Sequence, residues 1–157
     1  MPRHRFAIAV AALILATSAA DAQNPPPGTY RPGLGDLMTM TVQPRHLKVG
    51  IAGEERNWTY VKYETHELEE AFDRITKLVP KWREFDIAAL IASSVKQPLQ
   101  DLEDAAKVES PPLFYDAYEK LTAACNACHQ SANVGMIVIQ APKGSPFSNQ
   151  NFHPQKP

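Results

Sequence analysis

Near the C-terminal end of the chain two cysteines stand three residues apart, with a histidine directly after the second: Cys125-Asn126-Ala127-Cys128-His129. Thiol and imidazole in this arrangement support three chemistries: a redox disulfide, half of a zinc site, and the covalent attachment of a c-type haem. Zinc would need a fourth ligand, and the chain holds no second Cys-x-x-Cys or His-x-x-x-His to complete a common pattern. A thioredoxin-like pair opens a helix after a strand, and nothing upstream reads as a βαβ unit. For haem the spacing has a geometric reason. On a helix, residues three and four apart share a face, so Cys125, Cys128 and His129 point into one space. Both thiols can then bond the two vinyl-derived positions of one porphyrin while the imidazole reaches the iron from the same side. The motif therefore predicts one covalently held haem c, bound through Cys125 and Cys128, with His129 as the proximal iron ligand.

The elements that must position this motif are helical. Phe114, Tyr118, Leu121, Cys125, Cys128 and Ala132 follow at steps of four and three, the buried stripe of an amphipathic helix. Ser110-Pro111-Pro112 gives its start and Ser131 its end, a length of ~30 Å. A second clear helix is capped by Asn57 and carries Val61, Thr65, Leu68, Phe72, Ile75 and Val79 up to Pro80. Its Glu64, Glu67, Glu69, Glu70 and Lys77 read as a solvated face, and Trp58 and Trp82 as packing for its two ends. Between these helices, Ile87, Leu90, Ile91, Val95, Leu99, Leu102 and Ala106 predict a helix from Phe85 or Asp86 that Pro98 bends or divides. The first helix begins near Leu34, with Asp36 in its first turn, and ends near Gly50 to Gly53. Its apolar residues fall on two arcs, Leu34, Met38, Val42, Val49 and Ala52 against Met40, Leu47 and Ile51, with a kink expected at Pro44 between them. The fold expected is all-α: an antiparallel up-down-up-down four-helix bundle over residues 34–132 with an irregular C-terminal tail, 133–157. Val134 to Ile139 is expected to fold back over the motif's end of the bundle, or else to serve as a strand for edge pairing. The residues after it are expected to be mobile.

Composition sets the compartment. Arg3, His4 and Arg5 precede an apolar run, Phe6 to Ala16, and a small-x-small site, Ala20-Asp21-Ala22. Residues 1–22 read as a signal peptide, with an uncleaved anchor as the alternative, and residues 23–33, rich in proline, as an extended lead-in. The apolar run is too short to span a bilayer. Export to a periplasm agrees with attachment of haem to thiols, which normally occurs on the far side of such a membrane. Removing residues 1–22 takes two of the 16 Lys and Arg and one of the 17 Asp and Glu. The resulting net charge of about −2, without a basic block, gives no reason to expect nucleic acid. With only two cysteines, both in the motif, no structural disulfide is available, and the mature chain is one domain's worth.

A chain with an export signal, four amphipathic helices and Cys125, Cys128 and His129 near the end of the last helix resembles the class II c-type cytochromes, the cytochrome c prime group and its low-spin relatives. The resemblance covers about Leu34 to Ser131. It implies a single haem between helices, with the proximal histidine on helix four. It also implies either an axial methionine from early in helix one or an open sixth position behind an apolar side chain. Pro44, the long tail, and Gln130-Ser131-Ala132 where members often carry an arginine depart from the family pattern. In such a bundle the first turns of helix one face the motif, which makes Met38 the candidate distal iron ligand. Met40, roughly opposite on the wheel, and His46, ~12 Å further along the axis, are the runners-up. Met136 follows His129 too closely to reach the other face easily. His66 and His153 are expected on the surface, and Arg45 and Lys48 are weighed as partners for the propionates against plain solvated cations. The function this implies is a periplasmic monohaem cytochrome carrying single electrons between redox proteins, not an enzyme, with no membrane span after signal cleavage and a homodimer possible. The alternatives are a five-coordinate haem protein that binds nitric oxide or carbon monoxide, and a haem subunit docked on a larger redox enzyme.

Overall fold

The structure, a computed structural model, describes residues 30–155. The expected signal peptide, 1–22, and most of the lead-in, 23–33, lie outside the described residues. Helices dominate the rest: α1 (Leu34–Leu37), a π-helical turn (Met38–Val42), α2 (Gln43–Glu54), α3 (Trp58–Leu78), α4 (Ile87–Ser94), α5 (Lys96–Lys107) and α6 (Pro111–Ser131). A short antiparallel hairpin, β1 (Lys81–Trp82) and β2 (Phe85–Asp86), pairs Lys81 with Asp86 and Trp82 with Phe85. The described residues are thus all-α apart from this hairpin. Among the described residues no helix is long and apolar enough to cross a membrane.

The clearest periodicities give the clearest helices. The Asn57 side chain accepts a hydrogen bond from the Tyr60 N–H at the start of α3, and Val61, Thr65, Leu68, Phe72 and Ile75 are buried. One residue of the supposed solvated face is an exception. Glu64 is only 2% exposed, because Arg45 and Lys48 of α2 reach its carboxylate at 3.2 and 3.4 Å and the Tyr60 hydroxyl donates to it at 2.6 Å. A buried charge is tolerable when paired and hydrogen-bonded in this way.

Proline shifts the breaks from where they were expected. The distortion in the first helix lies in Met38–Val42, ahead of Pro44 rather than at it: the Gln43 N–H reaches back five residues to the Met38 carbonyl. Pro44 has no N–H and its ring crowds the carbonyl four residues before it; a widened turn relieves that crowding. The same turn explains the split stripe, since Leu37 and Val42, five residues apart, are both buried. In the third expected helix the division falls at Val95, so that Pro98 lies in the first turn of α5, where its missing N–H has no intrahelical partner to lose.

α2 packs on α3, α3 on α5 and α5 on α6, while α6 closes back on α2. The α2–α6 approach depends on two glycines. A Cβ on Gly50 would lie 2.5 Å from the Tyr118 hydroxyl, and one on Gly53 would fall within the Phe114 ring. α6 ends in a Schellman motif: Asn133 has φ of 58°, its N–H bonds the Gln130 carbonyl, and the Val134 N–H bonds that of His129. This reversal sends the tail back across the end of α6.

The tail corrects the expectation of a mobile end. Its described residues, up to 155, form no helix or strand beyond the end of α6, yet they are tied down at intervals. Pro142 lies over Gly50, the Phe147 ring lies 5.0 Å from the Lys48 ammonium, and Phe152 is buried beside Tyr60. Asn57 donates to the Phe152 carbonyl, and His153 pairs with Glu55. Aromatic residues at intervals, rather than a regular pattern, hold it down.

Candidate functional site

The last two turns of α6 do not reach a filled core. Phe114, Tyr118 and Leu121 are buried, but the same stripe continues as Cys125 and Cys128 along the wall of a cavity of about 230 Å³. His129 stands beside them. Opposite, the start of the first helix contributes Leu34, Gly35, Met38 and Val42, with His46 deeper in α2. Phe72, Ile87 and Ile91 form a side wall, and the tail residues Val134, Ile137 and Ile139 close the near edge. Apart from the thiols and a few polar groups the lining is apolar. The expected folding back of Val134 to Ile139 is what the structure shows.

The two thiols are free and half-buried. Burial pushes the Cys125 thiol up to about 11, with a smaller effect from Cys128, and burial also raises Cys128. Both therefore remain protonated at neutral pH. An attacking redox thiol has the opposite property, a lowered value at a helix N-terminus, whereas this pair lies at the C-terminal end of a 21-residue helix, where the dipole disfavours a thiolate. Among the described residues no group of three or more His, Cys, Asp or Glu side chains is placed to hold a metal ion, which a structural zinc site would require.

The histidines are set for different tasks. The His129 Nδ1 lies 2.8 Å from the Ile137 carbonyl oxygen. A carbonyl only accepts, so Nδ1 carries a proton, and in the neutral ring the lone pair is on Nε2, the form in which an imidazole binds a metal. His46 is 4% exposed and both its ring nitrogens are engaged. Thr122 donates to the Tyr118 carbonyl, so its oxygen accepts from the His46 Nε2–H at 2.9 Å. The Tyr118 hydroxyl lies 3.1 Å from His46 Nδ1 and 2.9 Å from the His46 carbonyl oxygen. Burial holds this imidazole neutral, at about 4.

The structure thus brings Cys125, Cys128, His129 and Met38 together around one space. His46 borders it with neither nitrogen free. Met40 is 71% exposed and outside the lining, and Met136 is 81% exposed. His66 and His153 are on the surface. Arg45 and Lys48 are neither solvated cations nor cavity residues: they bind Glu64, and Arg45 also binds Glu67 at 2.7 Å. Trp82, expected only to pack a helix end, lines the cavity from the hairpin. The hairpin's turn residues, Arg83 and Glu84, carry no turn signal, although Arg83 takes the left-handed conformation there, with φ of 53°. Asn126, inside the motif, pairs with the backbone of Ile139 at 2.7 and 2.9 Å; nothing in the spacing pointed to that contact. No protein-family model matches the chain, and no curated protein or solved structure matches it.

Proposed function

We propose that the protein is an exported monohaem c-type cytochrome that passes single electrons between redox partners, built as an antiparallel four-helix bundle of the class II kind. The observation that carries this reading is the convergence of Cys125, Cys128 and His129 with Met38 on one largely apolar cavity. The side chains fit the group. Cys125 and Cys128, kept as thiols, would hold the porphyrin by two thioether bonds. His129 offers Nε2 to the iron, with Nδ1–H fixed by Ile137. Met38 is the candidate sixth ligand, and a thioether there raises the potential of the couple. Bound haem supplies a one-electron ferric/ferrous couple. The remaining lining, Phe72, Trp82, Ile87 and Ile91 among it, excludes water and so limits the reorganisation that accompanies electron transfer. Export of the chain after removal of residues 1–22 places attachment and function in the periplasm.

The test is the absorption spectrum of the exported protein, oxidised and reduced, carried into the near-infrared. A low-spin spectrum with a sulfur-to-ferric-iron band is expected. A high-spin spectrum that shifts on addition of carbon monoxide or nitric oxide would replace electron transfer by gas binding at an open sixth position.

A further inference from the structure

The spacing of the attachment motif assigns Cys125, Cys128 and His129 and leaves its two internal residues unassigned. One of them, Ala127, is exposed. The other, Asn126, uses both ends of its amide on a single residue of the tail: Nδ2 donates to the Ile139 carbonyl at 2.9 Å and Oδ1 accepts the Ile139 N–H at 2.7 Å. Only one orientation of the amide satisfies both bonds, its NH₂ donating and its oxygen accepting. Two residues earlier, the Ile137 carbonyl accepts the Nδ1–H of His129. From the end of α6 to Ile139 the segment is held by a chain of such bonds: Val134 N–H to His129 O, Ile137 N–H to Val134 O, then the Asn126 pair. Burial does little to hold it, since Met136, Ile137 and Val138 are 81%, 50% and 72% exposed.

We propose that Asn126 is a positioning residue: by clamping Ile139 it holds the Ile137 carbonyl on His129 and so sets the imidazole's orientation and basicity from across the tail. The inference rests on the reading of His129 as an iron ligand and deepens it. A carbonyl on Nδ1–H makes the imidazole a stronger donor, which favours the ferric state. Without the clamp the carbonyl wanders, the donor weakens and the midpoint potential rises.

The experiment uses the exported holoprotein and two variants that break the same pair from opposite sides. Asn126→Ala removes the amide; Ile139→Pro removes the N–H from the tail and leaves the attachment motif untouched. Hydrogen exchange over residues 134–139 and the midpoint potential are measured for all three. Losing both hydrogen bonds in Asn126→Ala is expected to speed exchange in this poorly buried segment by about tenfold or more, and losing one in Ile139→Pro by a smaller factor, and both variants are expected to shift the potential upward while retaining covalent haem. A haem protein in which both variants leave the potential unmoved overturns the inference alone, whether or not exchange changes. A wild-type protein that carries no haem overturns the reading of the site, and the inference with it.

Discussion

In the first half of α6, Phe114, Tyr118 and Leu121 meet a wall that has been cut to fit them: glycines 50 and 53 of α2 lie under the two rings, and Trp58 packs its edge on Phe114 at 5.9 Å. In the second half, Cys125 and Cys128 on the same stripe meet the widened π turn and an irregular tail, and a cavity remains between them. The stripe is continuous, but its partners are not. Close approach of backbones through glycine makes a rigid, filled end, and a helix bent by Pro44 leaves the other end open. A site needs both, one half to fix α6 and the other to leave room beside it.

This contrast can be broken at either end. The largest effect is expected from Phe114→Ala in the filled half, a loss of about 4 kcal/mol, read as a lower urea midpoint with unchanged slope. A loss near 1 kcal/mol would mean that this end is no better packed than the other. Next comes the His46 imidazole at the junction. Burial lowers its folded value to about 4, below the ordinary 6.5 of a free imidazole, so the unfolded chain takes up the extra proton first as pH falls. The associated stability is complete above pH 6.5, declines as pH falls and is gone below 4, a total of about 3 kcal/mol. His46→Gln should lose that part of the acid dependence; a pH profile parallel to the wild type would show that His46 is not held neutral. Gly53→Ala, which forces a methyl into the Phe114 ring, is expected to cost about 2 kcal/mol after the helix-propensity gain of alanine. The smallest stability effect is expected in the open half. Met38→Ala should cost only about 1 kcal/mol from packing, because Met38 is half-buried beside a cavity, yet it should turn a low-spin spectrum high-spin. An unchanged spectrum would remove Met38 as the ligand.

How much of this was readable from residues alone follows the same division. α3 and α6 were legible because long runs at steps of three and four, an Asn57 cap and the Pro111-Pro112 start all agree. The grouping of Cys125, Cys128 and His129 at one cavity was legible because it depends on spacing within one helix. Met38 came from the resemblance, which implies a methionine early in the first helix, and it lines the cavity with the motif. What depended on chain reversal was not legible. The hairpin that brings Trp82 to the cavity is two residues per strand, too short for any alternation. The buried Glu64 looked like its exposed neighbours, since its pairing comes from Arg45 and Lys48, on a different helix, α2. The tail carries no period, so its anchors, Phe147 and Phe152, could be recognised only by what they touch. The break at Val95 rather than Pro98 shows proline acting on the turn before it, a consequence of its missing N–H.

The most direct test of the central claim is the intact mass of the exported protein in denaturant, for the wild type and for Cys125→Ala. The account predicts a wild-type mass of the processed chain plus one haem that denaturant does not release, and a Cys125→Ala protein with at most one thioether. A wild-type chain that flies without haem, or a Cys125→Ala chain that still holds haem by two covalent bonds, would contradict it.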